Sequence, residues 1–285
     1  MQLELSTEFA QQWQNKDPFT EAENLQGEVF RALEARKTLR FLLSDKGHEK
    51  SYFIKIHRGV GWFEIIENLI RLRLPVLGAK NEYLAIKKLE ALHIDTMHIA
   101  GYALKGKNPA QQQSFIITEY LINTISLEDF CADWPQTPPK FRLKQSLISK
   151  LAHISSTMHE NGINHRDFYI CHFLLNKSLL DKDFMEKSQD KEQLDHESLK
   201  VSLIDLHRAQ IRQHTPERWI VKDIASLYFS AMNIGMTQRD FYRFMKGYHH
   251  CSLRDCLTQH GDFWQKVELQ GQKLWRRKQR KGDAI

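Results

Sequence analysis

No stretch of this chain stays apolar and uncharged for the ~20 residues that a bilayer core demands, so the sequence contains no helical membrane span. Cysteine is scarce: Cys131, Cys171, Cys251 and Cys256 are the four, and none falls in a C-x-x-C spacing. That excludes a disulfide-built scaffold and fits reduced thiols in a cytosolic setting. The N-terminal MQLELSTEFAQQWQ lacks the basic region and apolar core of a secretory signal. Repeats and low-complexity composition are also missing, as in an ordinary soluble globular protein. The expectation is a protein made and kept in the cytoplasm, long enough for one large domain or two lobes.

Charge is present in excess of one sign. Lys and Arg number 41 against 35 Asp and Glu, a net charge of +6. The excess is clustered in the tail from Lys273 to Lys281, and around Arg58, Arg71 and Arg73. Such patches suit an anionic partner, whether nucleic acid, an acidic substrate, an acidic protein or a membrane face; they also occur as plain solvated surface.

The stretch Ile163–Leu175, INHRDFYICHFLL, organises the rest. Asn161-Gly162 ends the preceding helix. His165-Arg166-Asp167 follows, with His172 five residues past the aspartate. Further on, the strand pattern Val201-Ser202-Leu203-Ile204 delivers Asp205. Two carboxylates presented where strands meet loops suit phosphoryl transfer: one accepts a hydroxyl proton, the other holds the magnesium that bridges nucleotide phosphates. The spacing from Asp167 to residue 172 matches the kinase catalytic loop H-R-D-x-x-x-x-N, with His172 in place of the asparagine.

Upstream, residues 29–33 and 36–41 read as a hairpin, followed by a turn at Ser44-Asp45-Lys46-Gly47 and an alternating strand, Tyr52-Phe53-Ile54-Lys55-Ile56. Lys55 stands where a kinase places the lysine that grips the α- and β-phosphates, although a strand lysine taken alone usually just meets solvent. Glu82, on a helix from Lys80 to Leu92, is the candidate partner for Lys55; Glu64 is the competitor. Apolar residues at 62, 65, 66, 69 and 70 have helical spacing. That helix either packs against its own domain or lies on anionic lipid. Ser114–Thr118 is a buried strand leading into Glu119-Tyr120-Leu121, where the backbone of Glu119 and Leu121 would meet adenine with Thr118 behind. Ser126 caps a short helix, and Lys144–His159 is a long amphipathic one. Half of the residues from Lys177 to Lys200 are charged, 12 of 24, which reads as a solvated insertion. Asp223, near the start of a buried helix over 223–229, could brace the backbone of the catalytic loop and reads equally as an ordinary first-turn acid, two compatible readings.

With these residues in place the chain resembles the protein-kinase-like phosphotransferases, and more closely the lipopolysaccharide core heptose(I) kinases of Gram-negative bacteria. The resemblance rests on Asp17-Pro18-Phe19, Leu25–Val29, Tyr52–Gly59, Leu74–Ala79, Ile163–Asp167, Ile170–Leu175 and Ile204–Gln210. It implies a bilobal α+β protein-kinase-like fold. Residues 1–120 would form an N-lobe of antiparallel sheet plus helix, with a candidate membrane-contact helix at 60–74. Residues 121–285 would form a mostly helical C-lobe interrupted by the insertion 177–200. It further implies ATP and Mg²⁺ as cofactors, with the first heptose of the lipopolysaccharide inner core as acceptor, at the cytoplasmic face of the inner membrane. Asp167 would be the base, Asp205 and His172 the metal side, and Lys55 the phosphate contact. Glu82, Thr118, Glu119 and Leu121 would complete the nucleotide site, supported by His165, Arg166 and Asp223. An anionic membrane surface and an acidic protein such as an acyl carrier protein are the expected partners; nucleic acid is not.

Three departures from ordinary protein kinases stand out: the glycine-rich loop shrinks to Gly27, His172 replaces an amide, and Asp205 is followed by Leu206-His207. Other readings are a kinase acting on a protein tyrosine, another sugar or an antibiotic, a non-catalytic binding module, and a zinc hydrolase built from His165, Cys171, His172, Asp205 and His207. The joint presence of Lys55, Asp167 and Asp205 favours catalysis.

Overall fold

The computed structural model describes residues 1–45, 48–71, 75–180 and 199–282, and the chain divides into two compact units. The first holds Met1–Lys88, Met97–Ile122 and Leu206–Arg208; the second holds Leu89–Thr96, Asn123–Asp205 and Ala209–Ile285. Lys46-Gly47 of the expected turn, Arg73, and residues 181–198 of the charged insertion lie outside the described residues.

The first unit is built on a six-stranded antiparallel sheet. Its strands are β1 (Gln2–Leu5), β2 (Glu28–Leu33), β3 (Arg36–Asp45), β4 (His48–His57), β5 (Ile99–Lys105) and β6 (Gln113–Glu119), in the order β1-β5-β6-β4-β3-β2. Helices α1 (Thr7–Gln12) and α2 (Pro18–Asn24) cover one face. The start of α2 follows from its sequence: Pro18 fills the first helical position and the Asp17 carboxylate accepts the Thr20 amide at 2.9 Å. Phe9 is the hub of the core, its ring edge-on to Trp13 and Tyr52 at 5.2 Å. Along β4 the two-residue alternation sends Tyr52, Ile54 and Ile56 into this core and turns Lys55 to the opposite face. Gly27 has a steric reason: a Cβ there would lie 2.0 Å from the Arg40 carbonyl oxygen on β3.

Two helices follow on the chain, α3 (Gly61–Ile70) and α4 (Lys80–Ala91). In α3 most of the apolar residues face outward. Glu64 and Asn68 turn inward, where Glu64 meets Arg36 at 2.8 Å, and only Ile65 is buried. Trp62, Phe63, Ile66, Leu69 and Ile70 face out, with Phe63 84% exposed and Ile70 77%. Apart from Ile65, which packs with Val60 and Ala110, the apolar stripe does not pack against the described residues of its own unit.

The second unit is mostly helical. It contains β7 (Thr124–Ser126), α5 (Leu127–Phe130), α6 (Phe141–Glu160), β8 (Ile163–Asn164), β9 (Phe173–Asn176), β10 (Val201–Leu203) and β11 (Gln210–Ile211). Four helices end it: α7 (Glu217–Ala231), α8 (Gln238–His249), α9 (Leu253–Gln259) and α10 (Gly261–Lys281). The strands form two small antiparallel ribbons, β10-β9-β7 and β11-β8. Gly162 closes α6 at φ +80°, where a Cβ would fall 1.9 Å from the Arg212 carbonyl oxygen; only glycine fits. The helix carrying Asp223 starts six residues earlier than the sequence reading has it, at Glu217, so Asp223 is an interior and fully buried residue rather than a first-turn acid. Trp275, in the basic tail, lays its ring edge-on to Phe229 with centroids 6.3 Å apart.

Candidate active site

In the first unit the Lys55 ammonium meets the Glu82 carboxylate at 2.8 Å, and Glu82 is 1% exposed. That resolves the competition: Glu82 partners Lys55, while Glu64 belongs to Arg36. A buried carboxylate needs such a partner, and the pair in turn fixes where the lysine points. At the end of β6, Thr118 is buried. The Glu119 amide donates to the His98 carbonyl at 2.9 Å, so a contact from Glu119 to an adenine edge would fall to its carbonyl oxygen. His57, two residues past Lys55, is pushed down to about 4 by burial, then by the Arg36 and Lys55 charges.

In the second unit the chain after α6 turns at Gly162, forms β8, and presents His165-Arg166-Asp167 before a 3₁₀ turn at Ile170–His172. Asp223 of α7 holds this segment from below. Its Oδ2 accepts the His165 amide at 2.6 Å and its Oδ1 the Arg166 amide at 2.9 Å. Of the two sequence readings for Asp223, the bracing one describes its contacts. Arg166 adopts φ +75° and Asp205 φ +62°, left-handed conformations that non-glycine residues take rarely and that gather at functional sites.

The imidazole of His165 is fully enclosed, and that burial holds its pKa below the ordinary histidine value. It is neutral, and its Nε2 donates to the Ile204 carbonyl at 2.9 Å, since a carbonyl only accepts. His172 is oriented in the same way: Nδ1 donates to the backbone carbonyl of Asp167 at 2.7 Å. Its Nε2 then faces Asp205, with Oδ2 3.6 Å away. The segment bearing Asp205 is itself anchored, because the Ile204 amide donates to the His172 carbonyl at 3.0 Å and Thr96 Oγ1 donates to the Leu203 carbonyl at 2.7 Å. One short loop pair thus gathers Asp167, His172 and Asp205.

Sequence reasoning missed two supports. The Tyr248 hydroxyl on α8 lies 3.0 Å from His159 Nδ1, and His159 Nε2 lies 3.6 Å from Asp223 Oδ2. Both histidine neighbours are enclosed, so this chain backs the acid that holds the loop. His159 sits on α6 at a position whose helical spacing marks it only as core-facing, which is why the pattern carried no signal. Trp219 carries no such signal either; Arg166, Arg212, Arg218 and Lys222 lie 5.3–5.9 Å from its ring centroid. Among the described residues no three His, Cys, Asp or Glu side chains stand close enough to cage a metal, which leaves the zinc-hydrolase reading without its ligand set.

An antiparallel sheet carrying a Lys–Glu pair, and a helical unit carrying two acids on short loops, make this a protein-kinase-like α+β phosphotransferase fold. A solved structure titled "WaaP in complex with acyl carrier protein" matches 96% of the chain and 100% of that chain at 40% identity, with a TM-score of 0.78. Residues 20–248 match the model of the lipopolysaccharide kinase (Kdo/WaaP) family, and the chain belongs to that family. Among curated relatives, the lipopolysaccharide core heptose(I) kinase WaaP of Escherichia coli is 50% identical over 279 residues, covering 98% of this chain and 99% of the relative. The protein of the same name from Pseudomonas aeruginosa is 45% identical over 287 residues, covering both chains fully. Membership of a kinase family carries ATP use with it. The resemblance drawn from the sequence and the fold class it implied are both borne out.

Proposed function

We propose that this chain transfers the γ-phosphoryl group of ATP to a hydroxyl of the first heptose of the lipopolysaccharide inner core. The observation that carries the acceptor is near-full-length identity of 45–50% to three relatives named as heptose(I) kinases. The chemistry rests on the residues themselves. Lys55, aimed by Glu82, neutralises the α- and β-phosphates. Thr118, the Glu119 carbonyl and Leu121 line the adenine end. Asp167 takes the proton of the attacking hydroxyl, and the Asp223 grip on the two preceding amides limits where that carboxylate wanders.

Asp205 and His172 fit a divalent cation. A carboxylate oxygen and an imidazole nitrogen face each other at 3.6 Å, and the other imidazole nitrogen is held by the Asp167 backbone carbonyl, which leaves Nε2 as the ring atom that could reach a cation. Bound there, Mg²⁺ would offset charge on the β- and γ-phosphates. An imidazole is a softer donor than Mg²⁺ prefers, so Asp205 is the principal ligand and His172 the auxiliary one.

The working location is the cytoplasmic face of the inner membrane, where a lipid-linked acceptor would be met. Among the described residues no helix is long and apolar enough to cross a membrane. The outward apolar face of α3, with Arg71 at its end and both of its acids ion-paired, supports peripheral contact with anionic lipid. An acyl carrier protein is a further proposed partner, on the strength of the neighbour's title and the basic surface of this chain.

The decisive experiment is transfer of labelled phosphate from ATP to purified heptose-containing acceptor, against acceptors lacking heptose, tyrosine peptides and other sugars, with chelator controls. Labelling confined to the heptose acceptor and abolished by chelator is the expected result; equal labelling of the panel would remove the acceptor assignment.

A further inference from the structure

Two of the four cysteines meet at the corner between α8 and α9. The Sγ atoms of Cys251 and Cys256 lie 3.2 Å apart, within hydrogen-bonding reach of each other. A disulfide has its sulfurs ~2.05 Å apart, so closing the bond takes a shift of about 1.2 Å. Local sequence explains the meeting. His250 ends α8 with a left-handed backbone at φ +52° that turns the chain, and the Cys251 amide donates to the Lys246 carbonyl at 3.3 Å. Ser252 then caps α9, its hydroxyl accepting the Asp255 amide at 3.1 Å and its carbonyl the Cys256 amide at 3.0 Å. Both sulfur-bearing residues are anchored through their backbones.

The corner is also held from both ends of α9. His249, the last residue of α8, stacks on His260, which precedes α10, with centroids 3.8 Å apart and planes 3° from parallel. Burial, and then the charges of His260 and His250, push His249 down to about 4, so it enters the stack neutral near pH 7. The two thiols differ in access. Cys251 is partly exposed, whereas Cys256 is fully buried, and burial followed by the Cys251 contact pushes its thiol up to about 12. Metal binding, the other common use of paired cysteines, lacks a third ligand among the described residues.

We propose that Cys251 and Cys256 form a peroxide-sensitive dithiol, in which Cys251 is the thiol that reacts and Cys256 the thiol that resolves the product into a disulfide. The Cys251 sulfur attacks one oxygen of hydrogen peroxide and the O–O bond breaks. The thiol proton leaves with the departing oxygen as water, and Cys251 becomes a sulfenic acid. The Cys256 sulfur then attacks the Cys251 sulfur, the S–O bond breaks, and the Cys256 proton leaves with hydroxide as a second water. Two thiols are thereby oxidised to one disulfide, and one peroxide is reduced to two waters. Held proximity offsets the low acidity of Cys256. In a reducing compartment the bond is transient, and it spares Cys251 the irreversible steps beyond sulfenic acid. Cys251 lies three residues past Tyr248, so the corner protected in this way is the one that carries the support behind His159 and Asp223. The inference stands apart from the kinase reading.

The test treats the full chain with about a tenfold molar excess of hydrogen peroxide and alkylates it in denaturant with iodoacetamide. Two of the four thiols should be lost to alkylation and return with dithiothreitol. Trypsin cuts after Lys246, Arg254 and Lys266, so residues 247–254 and 255–266 should appear by mass as one cross-linked species. Cys256→Ala, with folding checked by circular dichroism, should form no such species and should carry a dimedone-reactive sulfenic acid at residue 251 that passes on to sulfinic acid. Cys251→Ser should lose its Cys256 thiol to peroxide at least tenfold more slowly than the parent. Four alkylatable thiols in the treated parent, a cross-link through Cys131 or Cys171, or sulfinic acid at Cys251 without the cross-link would overturn the pair. Should Cys256→Ala fail to fold, the cross-linked peptide of the parent decides alone.

Discussion

His172 donates from Nδ1 to the backbone carbonyl of Asp167, 2.7 Å away, and through that one bond the residue that faces Asp205 also steadies the candidate base. The two roles separate by substitution. His172→Asn keeps an oxygen donor and should retain Mg²⁺-dependent turnover. His172→Ala should raise the Mg²⁺ concentration for half-maximal rate about 10–100-fold. A magnesium titration of both variants checks this; an unchanged midpoint in His172→Ala would remove the residue from the metal site.

Asp167→Ala should lower kcat by roughly 10²–10⁴-fold, the usual contribution of a positioned base, with ATP affinity little altered. Single-turnover rates paired with calorimetric ATP binding measure the two quantities separately. Equal losses in both would mean that the carboxylate holds nucleotide instead.

Glu82→Gln removes the charge that fixes Lys55 at 2.8 Å. The loss of one charge-assisted hydrogen bond, ~1.5–3 kcal/mol, corresponds to roughly a 10–100-fold fall in kcat/KM for ATP. Glu64→Gln, whose acid serves Arg36, should leave that ratio unchanged.

Asp223→Asn leaves the amides of His165 and Arg166 facing a neutral and partly mismatched side chain in a fully buried position. Unfolding free energy in urea should drop by about 2–4 kcal/mol. A drop in kcat without any loss of stability would mean that the acid does more than hold the backbone.

His57 sets a pH dependence. Unfolded, the imidazole takes its proton near 6.5; folded, it takes it near 4, chiefly because it is buried. Between those values the unfolded chain binds more protons, so stability is complete above about 6.5 and is lost as pH falls towards 4, by up to ~3 kcal/mol. His57→Gln should flatten the urea midpoint over that window.

Much of the site was legible because its chemistry is local in sequence. The string at 163–175 fixes Asp167 and His172 within one turn of chain, and strand alternation around Lys55 needs five residues to read. Glu82 was separable from Glu64 only in three dimensions, since both occupy plausible helices and the choice depends on which face Arg36 claims. The apolar stripe of α3 was legible as a helix but not as an outward-facing one, because periodicity gives a face and not its direction. The start of α7 was missed because Pro216-Glu217 opens the helix without a Ser, Thr, Asp or Asn cap, and Trp219 went unnoticed with it. Tyr248 and His159 are 89 residues apart in sequence and meet only through the packing of α6 and α8.

Gly162 ties two of these features together. Its carbonyl accepts the Arg212 amide at 2.9 Å, and the space above its Cα is filled by the Arg212 carbonyl. The loop that leads to the base and the strand that supplies a cation to Trp219 are therefore one mechanical piece. Any graft of residues 210–212 from a relative will have to bring 161–167 along with it, or the transplanted arginine will arrive with a displaced aspartate.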